Sequence, residues 1–212
     1  MIHRRRAGLA AALLLTGALG LVACKAGADD ETLPVEASAT TTTTTVAPTT
    51  TMPTTTTTID PGTLPQTEDK PTGSGPQWDT DVAGLWQAIV TDDPAPARSF
   101  FFPLTAYRQV KAISDIDGDY QKRLIAYYED DIHTLHAKLG ADAANAVLVG
   151  LDVNTPNVTW IKPGVEYNKG AYWRVQDNTL RYTVNGQKRS FVVKSMISWR
   201  GQWYVVHLSS IR

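Results

Sequence analysis

Asp115, Asp117 and Asp119 alternate as the first ligands of a calcium loop do. The rest of such a loop is missing. Tyr120 stands where a glycine makes the sharp turn, and Ala126 stands where a bidentate glutamate closes the site. Acids stationed at the positive end of a helix account for the three aspartates better. His133 and His136 lie three apart but have no evident third ligand, so zinc is not expected. Asp131 and the tyrosines 128, 182 and 204 are the remaining groups with acid–base or hydrogen-bonding chemistry. A carboxylate at the edge of a core can lose hydration and gain basicity; an exposed or ion-paired acid is the other reading of the same position. Tyrosines on apolar faces fit a site or ordinary burial with satisfied hydroxyls. No glycine-rich phosphate loop, serine elbow or histidine with an acid partner near a nucleophile is evident, and no cofactor is expected.

These groups need elements to hold them. Asp79 or Thr80 can cap a helix whose Val82, Leu85, Trp86 and Ile89 fall on one face, with Asp92, Asp93 and Pro94 ending it. Phe100, Phe101 and Phe102 follow in a short helix or turn that plugs one end of a core. Leu104, Tyr107, Val110 and Ile113 predict another helix. The longest helix is expected over residues 120–139, with Leu124, Tyr128, Ile132, Leu135 and Leu139 as its apolar stripe and Gly140 as its stop. Asp131 then lies about 60° from the centre of that stripe. His136 takes the other shoulder and His133 points to solvent.

Beyond Gly140 the period becomes that of strands, at residues 147–153 and 158–161. Turns at Asp177-Asn178, Asn185-Gly186 and Arg200-Gly201 predict three further hairpins. Read as two-residue loops, they set a register that gathers Trp173, Val175, Leu180, Tyr182, Val184, Phe191, Val193, Ile197, Trp199, Tyr204, Val206 and Leu208 on one face. The opposite face collects Arg174, Arg181, Lys188, Lys194 and His207, with Met196, Ser198, Trp203 and Val205 among them. In this register Arg174 and Arg181 are directly opposed, an unfavourable pairing unless an anionic partner or solvent neutralises it. Helices followed by a curved antiparallel sheet packed on one face make an α+β domain.

The chain has 212 residues, formal charge −1 and one cysteine, Cys24. Near-neutral charge argues against non-specific nucleic-acid binding. A single thiol excludes an internal disulfide. Arg4, Arg5 and Arg6 precede an apolar, small-residue run over 7–23, which has the make-up of a secretory leader. Its end, Leu21-Val22-Ala23-Cys24, resembles the lipobox of bacterial lipoproteins. That resemblance implies cleavage before Cys24, acyl chains on its sulfur and amino group, and a membrane-anchored protein facing the extracytoplasmic side. Residues 24–76 hold threonine runs at 40–45, 49–51 and 54–58, many prolines and few large apolar residues. Such a segment is expected to be a disordered stalk, a coil of about 50 residues spanning about 40 Å. Its dense Thr and Pro also fit O-glycosylation. The expected division is therefore leader 1–23, stalk 24–76 and domain 77–212.

Helix order and the closing hairpin over residues 197–206, with its Gly201-Gln202-Trp203, resemble the nuclear-transport-factor-2-like superfamily, a cone shared with ketosteroid-isomerase-like and cystatin-like proteins. The chain is also similar to actinobacterial lipoproteins. The resemblance implies a cone with a mouth, used either for binding or for catalysis. The first use predicts a non-enzymatic accessory module in the cell envelope that takes a partner on Arg174, Arg181, Lys188, Lys194 and His207, or a small apolar ligand. The second predicts Asp131 as base, Tyr128, Tyr182 or Tyr204 as donors, and Arg189 for an anionic substrate.

Overall fold

A computed structural model of the chain describes residues 59–211. The leader, Cys24 and the stalk as far as residue 58 lie outside the described residues. Helix α1, Pro76–Thr91, begins three residues before the expected cap, because Gly75 (φ 104°) turns the chain and Pro76 enters the first turn with its φ already set. It ends at Asp92 in the left-handed region. A 3₁₀ turn, Ala95–Phe100, then leads to α2, Leu104–Val110. Gly84 of α1 lets this turn approach: a Cβ there would meet the Pro96 carbonyl oxygen at 2.5 Å.

The longest helix starts four residues earlier than expected. Asp115 caps it by accepting from the Gly118 amide at 2.9 Å. It comprises α3, Ile116–Asp119, a π-helical segment, Tyr120–Ile125, and α4, Ala126–Leu139. Gly140 follows at φ 51°, as its place beyond the stripe requires. Leu124, Tyr128, Ile132, Leu135 and Leu139 are all buried.

Strands β1, Ala146–Asp152, β2, Thr159–Ile161, β3, Tyr172–Val184, β4, Gln187–Trp199, and β5, Gln202–His207, form an open antiparallel sheet. Its order is β1-β3-β4-β5, with β2 also on β3. The turns at Asn185-Gly186 and Arg200-Gly201 carry the paired positive φ angles of tight hairpins. The one expected at Asp177-Asn178 is absent. Asp177 does adopt φ 56°, but β3 runs straight through it, with Gln176 opposite Ser195 and Asn178 opposite Val193. Asn178 bridges the irregularity: its buried side chain accepts from the Asn154 amide at 3.0 Å and donates to the Val193 carbonyl at 3.2 Å.

With that turn gone, the register changes. Arg174 lies opposite Ile197 and Arg181 opposite Ser190, so the arginines do not face each other. Ile197 and Ser190 lie on opposite faces of β4, and so do the arginines paired with them. Trp173 and Val175 move to the outer face, because Val175 pairs with Met196 and the Trp173 amide donates to the Ser198 hydroxyl at 3.0 Å. The helices cover the inner face: Trp86 of α1 stacks on Tyr182, which stacks on Phe191, and Phe102 meets Trp199 and Tyr204 edge-on.

The outer face is not free along its whole length. Ser195 to Trp199 are buried without alternation, as are Trp203 and Val205. A strap, residues 59–75, lies against this end. It overlaps the expected stalk, and here structure and expectation differ. The strap passes α2 through Gly62, where a Cβ would meet the Ala106 amide nitrogen at 2.7 Å. It then rounds the β4–β5 turn, where Gln66 donates to the Ser198 carbonyl and accepts from the Arg200 amide. Finally it crosses Trp173, whose indole donates to Glu68. Sparse apolar residues did not prevent order, because the strap is held mainly by its backbone carbonyls, by Gln66 and by Asp60, with Pro71 its buried apolar side chain.

Candidate functional site

Two polar regions meet the inner face of the sheet. The first joins the long helix to α2 and β3. Asp119 and Arg123 are one turn apart on the helix and pair at 2.6 and 2.8 Å, and Tyr107 of α2 donates to Asp119 at 2.5 Å. Arg123 and the Tyr107 hydroxyl hold the Asp119 carboxyl below its usual range. Burial, then the hydrogen bond to Asp119, pushes the Tyr107 phenol far up. Lys111 reaches the Glu166 carbonyl at 3.0 Å, while burial and then Arg123 lower its pKa. Glu166 accepts from Tyr172 at 2.7 Å and pairs with Arg174.

His207 belongs to this region rather than to the outer face. A bulge in β5 sets both Val205 opposite Met196 and His207 opposite Ser195, which turns His207 to the helix side. Burial, with Arg123 the next cause, lowers it to about 4. It is therefore neutral at physiological pH. The region holds two hydrogen-bonded clusters, one of Tyr107, Asp119 and Arg123 and one of Lys111, Glu166, Tyr172 and Arg174, that tie helices to sheet, while Arg174 Nε is buried without a partner. The sequence signal for its centre was the Asp119/Arg123 spacing of four.

The second region is an open cleft of about 620 Å3 whose walls include Tyr204, Phe101, Pro103, Gln77, Arg98 and Gln202. Phe101 lies along β5, where the Phe102 amide donates to the Val205 carbonyl at 3.1 Å. Asp81, buried beside the cleft, is held by Gln77 at 3.0 Å and Ser99 at 2.7 Å. Burial and the nearby Asp81 and Asp60 push Tyr204 up to about 12, which keeps its hydroxyl protonated and able to donate. Arg98 is paired with Glu129.

The other candidate residues do not converge on one site. Asp131 is buried in α4 and accepts from the Ser209 amide at 2.8 Å and the Ser209 hydroxyl at 2.5 Å. Tyr128 donates to the Ala97 carbonyl at 3.1 Å within the core, and burial raises it far above the usual range. Tyr182 and Arg189, with Arg181 and Lys188, line a small cavity of about 110 Å3 at the other end of the sheet. Arg181 pairs with Asp152, and Lys194 with Asp177 at 2.6 Å. The basic outer face thus keeps Arg181, Lys188 and Lys194, while Arg174 and His207 belong to the helix side.

Of the acids that alternate like a calcium loop, Asp115 caps a helix, Asp117 pairs with Arg108 at 2.6 Å and Asp119 with Arg123. His133 meets Asp92 at 2.7 Å, and His136 meets the Ile89 carbonyl at 2.9 Å. Among the described residues no group of three or more potential ligands is placed to hold a metal, and no helix is long and apolar enough to cross a membrane. No family model, no curated protein and no solved structure matches the chain.

Proposed function

We propose that the chain is a membrane-tethered lipoprotein of the cell envelope, anchored through Cys24 on the extracytoplasmic side, whose domain is a non-enzymatic binding module. The cleft beside Tyr204 carries this reading. Its volume suits a small ligand, and its lining combines Phe101, Tyr204, Pro61 and Pro103 with the amides of Gln77 and Gln202 and the Ser99 hydroxyl. The acid beside it, Asp81, is held by Gln77 and Ser99, which suits a binding surface better than proton abstraction. The candidate base Asp131 is engaged with the chain's own Ser209. The helix-on-sheet order also supports a nuclear-transport-factor-2-like cone. A ketosteroid-isomerase-like activity is the second reading, with Tyr204 as its donor in this cleft.

The full chain from its own membrane should carry acyl mass on Cys24, and Cys24→Ser should move it to the soluble fraction. Native mass spectrometry of the detergent-extracted protein should reveal a copurified small molecule. Gln202→Trp, an exposed change at the cleft, should displace it without unfolding the domain. A bare chain with no ligand gained from envelope extracts would remove the binding-module reading.

A further inference from the structure

We infer that the loop over residues 162–170 is a second, peripheral contact with an anionic lipid surface, one that orients the tethered domain. The proposal rests on the lipoprotein reading for its geometry, though not for its test. The loop raises Val165, 65% exposed, and Tyr167, 81% exposed, into solvent. Tyr167 does so at φ 52°, a left-handed conformation that costs a bulky residue energy and persists only where surrounding structure imposes it.

The imposing structure is explicit. Asn168, 2% exposed, donates to the carbonyls of Lys162 at 3.0 Å and Gly170 at 2.7 Å, accepts from the Glu166 amide at 2.8 Å, and its own carbonyl accepts from Gly164 at 2.7 Å. From outside the loop, the Ala112 amide donates to the Tyr167 carbonyl at 2.9 Å, and Val110 accepts from Lys169 at 2.7 Å and Gly170 at 3.2 Å. A buried asparagine and the end of α2 therefore hold an aromatic and an aliphatic side chain outward. Burial elsewhere in the fold gains nothing from this arrangement.

Charge and position select the occupant. Lys162 and Lys169 flank the tip and are exposed, and the acid within it, Glu166, is turned inward to Arg174 and Tyr172. Basic residues beside an aromatic suit the headgroup level of an anionic bilayer. The tether also enters nearby. Asp60 accepts from Thr105 at 2.7 Å near the start of α2, and Gln109 donates to Gly62 at 2.5 Å, one residue before Val110 grips the loop. Five residues of helix separate Thr105 from Val110, about 8 Å. The tether therefore enters the domain on the loop's side. A lipid anchor joined to a weak second contact gains strength from effective concentration.

The test uses residues 25–212, without leader or Cys24, and vesicles of phosphatidylcholine with or without 30% phosphatidylglycerol, a composition of about one-third anionic lipid chosen to mimic an acidic leaflet. Binding to the anionic vesicles is expected, weakened by salt and by roughly fivefold for each of Lys162→Ser and Lys169→Ser. Tyr167→Gly suits the left-handed backbone and should leave the fold at least as stable, yet weaken binding about fivefold or more. On the lipidated full chain, a lipid-phase quencher should quench a label at Tyr167→Cys but not one at Val192→Cys on the outer sheet face. Unchanged binding by Tyr167→Gly, no preference for anionic vesicles, or equal quenching at both sites would overturn the proposal. So would capture of an envelope protein without lipid binding. Failure to find acyl mass on Cys24 would overturn the tether and leave the vesicle result standing by itself.

Discussion

The indole N–H of Trp199 donates to the Pro61 carbonyl at 2.8 Å, and that of Trp173 donates to the Glu68 carbonyl at 3.0 Å. These tryptophans lie on opposite faces of the sheet: the register that pairs Arg174 with Ile197, carried two positions further, sets Tyr172 beside Trp199, and the Trp173 amide donates to the Ser198 hydroxyl at 3.0 Å. The strap from Pro61 to Glu68 thus clasps the sheet from both sides, and Lys70 adds a cation 5.3 Å above the Trp173 ring.

A domain truncated to residues 76–212 should therefore be less stable than one spanning 59–212. Two indole donors lose their partners, at about 1–3 kcal/mol for each one left buried, and apolar surface on Trp199 and Trp173 is uncovered. Urea melts of the two fragments should differ by about 3 kcal/mol or more. Equal midpoints would mean that the strap rests on the sheet without stabilising it.

His207 makes stability depend on pH. Its folded pKa of about 4 lies below the ordinary 6.5, so the unfolded chain binds more protons between those values. The stability held above pH 6.5 is accordingly lost as pH falls from about 6.5 to 4. Full burial would make this about 3 kcal/mol; His207 is partly exposed, and solvent screening reduces it to about 2 kcal/mol. His207→Gln should flatten the difference between urea midpoints at pH 7 and pH 4.5. Parallel profiles for the two proteins would show that other groups carry the dependence.

Asp131 fixes the chain's last turn. Asp131→Ala leaves the Ser209 amide without its acceptor inside the fold and should cost about 2 kcal/mol, a fall in Tm of about 4–8 °C for a domain of this size. Asp131→Asn retains one acceptor and should cost less. A purely catalytic aspartate would give the reverse pattern, with stability unmoved.

Arg174 and Arg181, on opposite faces of β3, should behave differently. Arg181 and its partner Asp152 are about half exposed, and Arg181→Ser should change stability by less than about 1 kcal/mol. Arg174 and Glu166 are more enclosed, and Arg174→Ser removes the cation that balances Glu166. A loss of about 1–2 kcal/mol is expected, together with loosening of the 162–170 loop in hydrogen exchange. Equal effects would place both pairs in solvent.

The sequence by itself determined the elements whose causes are local. The apolar stripe from Leu124 to Leu139, the stop at Gly140 and the Asn185-Gly186 and Arg200-Gly201 turns each depend on residues within a few positions of one another. Only the tertiary structure decided the rest. Asp177 has the conformation of a turn residue, yet Asn178 finds Asn154 and Val193 and the strand continues. His207 changes face because of a bulge at Val206 that has no composition of its own. The strap is ordered by carbonyls of Pro61 and Glu68, groups every residue possesses, meeting indoles more than a hundred residues away. Backbone acceptors leave no mark in a sequence; what orders them is the donor that folding brings to them.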